Sequence, residues 1–329
     1  MKLLFTFALL FLVGVYSQPT AIQYIQDSYE TAGVFNYGVI RLSDGATLDN
    51  ATFTSEYFSI WGILAVNDTN ILTLGSAPSS GNIVSSFSIE SKTFTTVYSQ
   101  PPQGFGFGFG QQPIYWDQNT LTAYVAGLAL SNNDGTLAII PLGFGQDIPN
   151  EAISLGVDGS FTTSPIGAYD GSNYYYVYYQ TGNTIGLVKY SFSQYTYTSV
   201  ILTGDNTQVF YGTQQLIYYN NQLYLATLDT NTGVNIATVD FETTQVDIIY
   251  KDTSSNKLFK GTIQPFIYDS ASGSLIILNP AQDQLYVDIF NLATQKVKSS
   301  VIPNTIPQET FYIVPSTATV PFSTVASFQ

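Results

Sequence analysis

The sequence predicts an all-β chain in which one four-stranded antiparallel unit is used six times. Three observations carry that prediction. A pattern of apolar, polar and apolar residues followed by a turn recurs as Ile40-Arg41-Leu42, Phe87-Ser88-Ile89, Ile140-Pro141-Leu142, Tyr190-Ser191-Phe192, Val239-Asp240-Phe241 and Phe290-Asn291-Leu292. Counted on the last residue of each, the intervals 42–89, 89–142, 142–192, 192–241 and 241–292 are 47, 53, 50, 49 and 51 residues, a near-constant period that marks a repeat architecture. An aromatic or apolar residue followed by Asp or Asn keeps the same time, at Val66-Asn67, Trp116-Asp117, Tyr169-Asp170, Tyr219-Asn220 and Tyr268-Asp269. Between these two markers lies a third set of turn signals: Ser80-Gly81-Asn82, Asp134-Gly135, Thr181-Gly182-Asn183 and Thr232-Gly233.

Each period reads as four strands in order. The first ends at the Asp/Asn marker, whose side chain suits a hairpin turn because it bonds the local backbone and tolerates left-handed dihedrals. The second is a β-rich run such as Leu121–Val125, Tyr174–Tyr179, Leu223–Leu228 or Leu275–Leu278. The third ends in the apolar-polar-apolar pattern, and the fourth follows its turn. No amphipathic helical period appears after the first 17 residues. The hairpin marker occurs five times and the other six, so the first unit lacks an innermost strand, while Thr310–Val314 reads as a strand with no unit of its own. If Thr310–Val314 supplies the missing strand, the two ends of the chain close one unit and the ring has no open edge.

Four antiparallel strands repeated at this period resemble the β-propeller superfold over almost all of the chain after residue 17. The line from Val287 to Val297 looks like the outer hairpin of many propeller repeats. The resemblance implies a six-bladed β-propeller with four-stranded antiparallel blades, the first closed by the C-terminal strand. The Gly-His and Trp-Asp signatures of WD40 repeats and the kelch double glycine are missing. The resemblance therefore stops at the superfold, which transfers no function.

The two ends read differently from the repeat. Lys2, the apolar run Leu3–Val15 and the small residues before Gln18 predict a secretory signal over residues 1–17, a run too short to span about 30 Å of hydrocarbon. A single propeller domain over 18–315 and a Thr/Ser-rich tail over 316–329 would follow. Asn50-Ala51-Thr52 and Asn67-Asp68-Thr69 are N-glycosylation sequons that secretion would make usable.

Composition excludes whole classes of chemistry. The 329 residues include no His and no Cys, so Ser-His-Asp triads, Cys-His pairs and H-E-x-x-H zinc sites cannot form. A formal charge of −14 argues against nucleic acid or an anionic membrane as partner. No cofactor and no metal are expected.

The candidate sites each carry two readings. Gln112, Gln215 and Gln264 fall at equivalent positions near the innermost strands, and Glu309 joins them when Phe311 is aligned with Phe266. Such a partial ring would hydrogen-bond a sugar or another polar ligand, or line a water-filled channel. Ser164 stands one residue out of register in another unit. Glu56 and Glu309 are the carboxylates near innermost-strand starts, and glycoside cleavage needs only such a pair; otherwise they are solvated strand-end charges. The run Gly104–Gly110 places Phe105, Phe107 and Phe109 on one strand face, packed between blades or exposed as an apolar patch. The Asp/Asn series, with Asp44-Gly45 and Asp134-Gly135, reads as turn chemistry before it reads as an ion site. Together these features predict a secreted, monomeric, non-catalytic protein that binds an extracellular protein or carbohydrate. A carboxylate-based glycosidase and a structural matrix or coat component are the alternatives.

Overall fold

A computed structural model describes residues 19–314 apart from 28–30, 32, 57–58, 67–68, 78–80, 99–104, 108–114, 118–121, 132–133, 144–152, 159–166, 181–183, 205–212, 230–232, 255–265, 270–271, 281–282 and 307–310. The leader and tail expectations fall outside these residues. Every regular element described is a β-strand, and every pair of neighbouring strands is antiparallel.

In chain order the strands form sheet I from β1 (Ala21–Asp27), β2 (Val34–Arg41) and β3 (Thr47–Thr54), and sheet II from β4 (Ser59–Val66), β5 (Asn70–Ala77), β6 (Gly81–Ser88) and β7 (Thr93–Tyr98). Sheet III holds β8 (Phe105–Phe107), β9 (Tyr115–Asp117), β10 (Thr122–Ser131), β11 (Asp134–Gly143) and β12 (Ile153–Asp158). Sheet IV holds β13 (Gly167–Tyr169), β14 (Asn173–Gln180), β15 (Thr184–Ser191) and β16 (Thr196–Ile201). Sheet V holds β17 (Thr213–Tyr219), β18 (Gln222–Asp229), β19 (Gly233–Val239) and β20 (Val246–Asp252). Sheet VI holds β21 (Phe266–Asp269), β22 (Ser274–Pro280), β23 (Gln284–Asn291) and β24 (Lys296–Pro303). The last strand, β25 (Phe311–Val314), returns to sheet I and pairs with β1, Gln26 opposite Phe311 and Gln23 opposite Val314.

The sheets are arranged as a β-propeller. Innermost strands lie side by side, β13 against β17, β17 against β21, β21 against β25 and β25 against β4. Apolar clusters fill the spaces between consecutive sheets. Ile22 and Ile40 of sheet I meet Leu278 and Val287 of sheet VI; Phe35 and Tyr37 meet Ile71 and Phe87 of sheet II. Tyr175 and Leu187 of sheet IV meet Leu225 and Ala237 of sheet V, which in turn packs Tyr224 and Ile236 on Leu275 and Phe290 of sheet VI. Ile139 and Leu155 of sheet III pack on Tyr174 and Tyr176. Sheets I, IV, V and VI are therefore covered on both faces, which is why their middle strands are apolar on both sides instead of alternating. Each fully buried Phe, Ile or Leu contributes about 1.5–3 kcal/mol, so these interfaces dominate stability.

One departure from the expected repeat concerns sheet III. Its innermost position is shared by two short strands, both paired with the ten-residue β10: Phe107 stands opposite Gly127, and Trp116 opposite Ala123. Seven residues of sequence separate β8 from β9, but only two separate Tyr124 from Gly127, their partners on β10, so the two are not one continuous ladder strand. The four-stranded plan thus holds in five sheets and gives way to a broken inner strand in this one.

The outer hairpins repeat one geometry. Gly45, Lys92, Tyr195, Thr244 and Gln295 all hold positive φ, at 74°, 56°, 55°, 63° and 54°. In four of them the amide N–H donates to the carbonyl four residues back, as Lys92 does to Ser88 at 2.9 Å and Gln295 to Asn291 at 2.8 Å. Only Gly45 takes this conformation without cost.

Candidate functional site

Antiparallel pairing fixes which strand ends meet. Where an innermost strand begins, the second strand ends and the third begins, as Phe311, Gln26 and Asn36 do in sheet I and Thr213, Leu228 and Val234 in sheet V. Polar side chains gather at this end of the ring, sunk among residues that are otherwise apolar.

In sheet I, Gln26 is fully buried and its Oε1 accepts from Asn36 Nδ2 at 3.2 Å, while Asn36 Oδ1 accepts from Thr52 Oγ1 at 2.7 Å. The next residue, Asp27, reaches into sheet II, where its Oδ2 accepts from the Ile60 amide at 3.1 Å. One residue before Ile60, the hydroxyls of Ser59 and Ser76 stand 3.0 Å apart. In sheet V, Thr227 and Asn235 are cross-strand partners, both fully buried. Gln215 of the innermost β17 is 9% exposed, and its Nε2 donates to the Leu216 carbonyl at 3.2 Å. In sheet VI, Asn279 is 3% exposed and its Nδ2 is enclosed without a hydrogen-bond partner. A buried amide without a partner costs on the order of 1–3 kcal/mol, so packing alone does not explain Asn279.

Of the residues expected in a site, the structure describes Gln215 at this end and places Glu56 on the surface just before β4. Gln112, Gln264, Glu309 and Ser164 lie outside the described residues. By chain order Gln264 and Glu309 each stand two residues before an innermost strand, β21 and β25. Phe105 and Phe107 belong to β8 by their backbone; Phe109 and Asn67 lie outside the described residues. Asn50 is exposed on β3. The sequence reading missed Gln26, Asn36, Thr227, Asn235 and Asn279. Their signal was the pairing of a polar residue near the end of one strand with another near the start of the next, legible only once the register is known.

Asp170, Asn220 and Asp269 of the Asp/Asn series stand at turns at the opposite end. Asp170 accepts from the amides of Ser172 at 2.8 Å and Asn173 at 2.7 Å, from Asn173 Nδ2 at 3.0 Å and from the Tyr175 hydroxyl at 3.0 Å. Burial alone would raise its pKa, but those four donors outweigh it and hold the carboxyl below its ordinary value. Asp269 accepts from Ser272 Oγ at 2.5 Å, and Asn220 holds φ 48°. Among the described residues, no three acidic side chains are grouped as metal ligands.

Compared by sequence, the chain matches no protein-family model and no curated protein. By structure it is similar to TolB from Acinetobacter baumannii, with TM-score 0.56 and 12% identity over 90% of this chain and 67% of that one. It is also similar to a protein from Lactobacillus plantarum, with TM-score 0.52 and 11% identity over 90% of this chain and all (100%) of that one. A periplasmic gluconolactonase from Pseudomonas aeruginosa stands lower, at TM-score 0.48 and 12% identity over 90% of this chain and 99% of that one. At these identities the likeness is one of fold: the chain is a β-propeller.

Proposed function

We propose that this chain is a secreted, monomeric and non-catalytic propeller that binds an extracellular glycan at the channel mouth where its innermost strands begin. In this reading the six sheets are six blades, and the pairing of β25 with β1 closes the ring. The observation that carries it is the set of amide and hydroxyl side chains at that end, Gln26, Gln215, Thr227, Asn235 and Asn279 buried and Asn36 half-buried. Amides present donors and acceptors together, which is what a polyhydroxylated ligand requires, and a binding pocket needs few such groups. Gln112, Gln264 and Glu309 would extend the set along the mouth, with Phe105, Phe107 and Phe109 as an apolar platform beside it.

The test is a glycan-array screen of the purified protein beside a reducing-sugar release assay on the same polysaccharides. Binding without release that is lost in Gln112→Ala or Gln264→Ala, with thermal unfolding unchanged, supports the proposal. Sugar release abolished by Glu56→Gln or Glu309→Gln would replace it with a glycosidase. Silence in both assays overturns it in favour of a protein partner, or of a matrix component if the chain self-associates in sedimentation.

A further inference from the structure

Asn50 lies on β3, the outermost strand of sheet I, whose order is β25, β1, β2, β3. The burial of β3 alternates, so that Leu48, Asn50, Thr52 and Thr54 share the exposed face. Leu48 is 48% exposed there, one of the few large apolar side chains the described surface carries. The sequon is complete, but folding ties it down. Asn50 is paired with Gly38 and Thr52 with Asn36, and the Thr52 hydroxyl donates to Asn36 Oδ1 at 2.7 Å. A transferase needs the Asn amide and the Thr hydroxyl of a free segment, and neither the ladder nor that bond offers one.

Topology supplies the opening. Sheet I cannot be completed until its innermost strand is made, and β25 begins at Phe311, 261 residues after Asn50 (311 − 50). At roughly 5–20 residues per second of synthesis, those residues take about 13–52 s. Throughout that interval β1 lacks its inner partner, and for most of it Ile22 and Ile40 lack the Leu278 and Val287 of sheet VI that cover them, so one apolar face of β1 and β2 has nothing to pack against.

We infer that Asn50 is an N-glycosylation site, modified while the chain is still being made, and that its glycan lies over Leu48 on the outer edge of sheet I. This rests on the secretory part of the function proposed above. It adds a reason for the late return of β25: the strand that completes the sheet arrives after the sequon has been read.

The test uses the full chain produced in a host with an N-glycosylating secretory pathway. Peptide mass spectrometry of the secreted protein, after enzymatic release of N-glycans, should find Asn50 converted to Asp, and Asn50→Gln should remove one glycan increment. Unmodified full-length protein from bacteria, offered to the transferase in vitro, should accept the glycan at Asn50 after denaturation and at least tenfold less in the folded state. A secreted chain with Asn50 bare overturns the inference, and folded protein accepting as readily as denatured overturns its timing. Retention of the chain inside cells would count against the secretory reading instead, and the same measurements on a copy carrying a heterologous leader would then decide Asn50 on its own.

Discussion

Lys92 offers the sharpest test of how neighbouring sheets are held together. It stands on the outer hairpin of sheet II, yet its Nζ lies 2.5 Å from Asp49 Oδ2 of β3 and 4.0 Å above the ring of Tyr37 of β2. Replacing it with Ala removes an ion pair whose partner is 44% exposed, worth about 0.2–1 kcal/mol once solvent screening is allowed for. It also removes a cation–π contact worth about 0.5–1 kcal/mol. Because Asp49 keeps its water, no penalty for a stranded buried charge is added, and the expected loss is about 0.7–2 kcal/mol. A chain this long unfolds with an entropy of roughly 0.7 kcal/mol per kelvin, so the midpoint should fall by about 1–3 °C. Lys92→Gly should be less damaging than Lys92→Ala by up to about 1 kcal/mol, since glycine accepts the φ of 56° that strains alanine. Urea unfolding of both variants and of the double mutant with Asp49→Asn separates the parts. The ion-pair coupling should shrink towards zero at 1 M salt, where the screening length is about 3 Å. If Lys92→Ala unfolds within 0.3 kcal/mol of the parent, the lysine does not join the sheets and this account of it is wrong.

Gly186 faces Tyr178 across the β14–β15 ladder, where a Cβ would overlap the buried ring, so Gly186→Ala should cost about 1–3 kcal/mol in thermal unfolding. An unchanged midpoint would mean the ring has room to move. Ending the chain after Ile306 removes β25 and leaves β1 unpaired; it should lower stability by several kcal/mol, whereas ending it after Ser316 should not, and equal melting of the two would refute ring closure by β25. With no His and no Cys, stability should be flat between about pH 6 and 9, apart from the α-amino group. Asp44, Asp170 and Asp240 are held below their ordinary value in the folded state, so the stability they add is present above about pH 4 and is lost as pH falls through their folded values. Tyr37 and Tyr268, both pushed up to about 12 chiefly by burial, impose the opposite limit: their contribution is intact below pH 10 and is lost between 10 and 12.

The architecture was legible because a propeller repeats its turns more faithfully than its strands. The apolar-polar-apolar pattern locates the outer hairpin in the five sheets whose outer hairpin is described, since the apolar pair enters the inter-sheet cluster just before the chain reverses. Phe87 in one cluster and Phe290 in another are examples. The strand at Thr310–Val314 was legible by subtraction, as the one β-rich segment without a unit. The broken inner strand of sheet III was not, because Phe105–Phe107 and Tyr115–Asp117 each look like an ordinary strand and only pairing shows that both compete for β10. The polar layer was illegible for a related reason. Gln26 and Asn235 are ordinary polar residues in alternating strands until sheet packing buries both faces, and burial on both faces is a property of the ring rather than of any local pattern.

That burial also explains how the scarce charges are used. A chain without disulfides must hold its sheets together by the surfaces between them, and aromatic rings join the aliphatic side chains in that contact. Phe53 stacks on Phe87 at 5.0 Å across sheets I and II, and Tyr175 stacks on Tyr218 at 6.3 Å across sheets IV and V. Rings at the rim of such an interface still present a face to water. Lysine covers them: Lys92 over Tyr37, and Lys189 of β15 over both Tyr175 at 5.8 Å and Phe241 of sheet V at 5.4 Å, with Glu242 4.0 Å away. The lysine stem extends the apolar contact while its ammonium meets the ring face and a carboxylate of the next sheet. With only nine basic residues against 23 acidic ones, placing two of them this way ties cations to the joints between sheets. If Lys189→Ala weakens the join between sheets IV and V as Lys92→Ala weakens that between I and II, the two losses should add, because the sites share no partner.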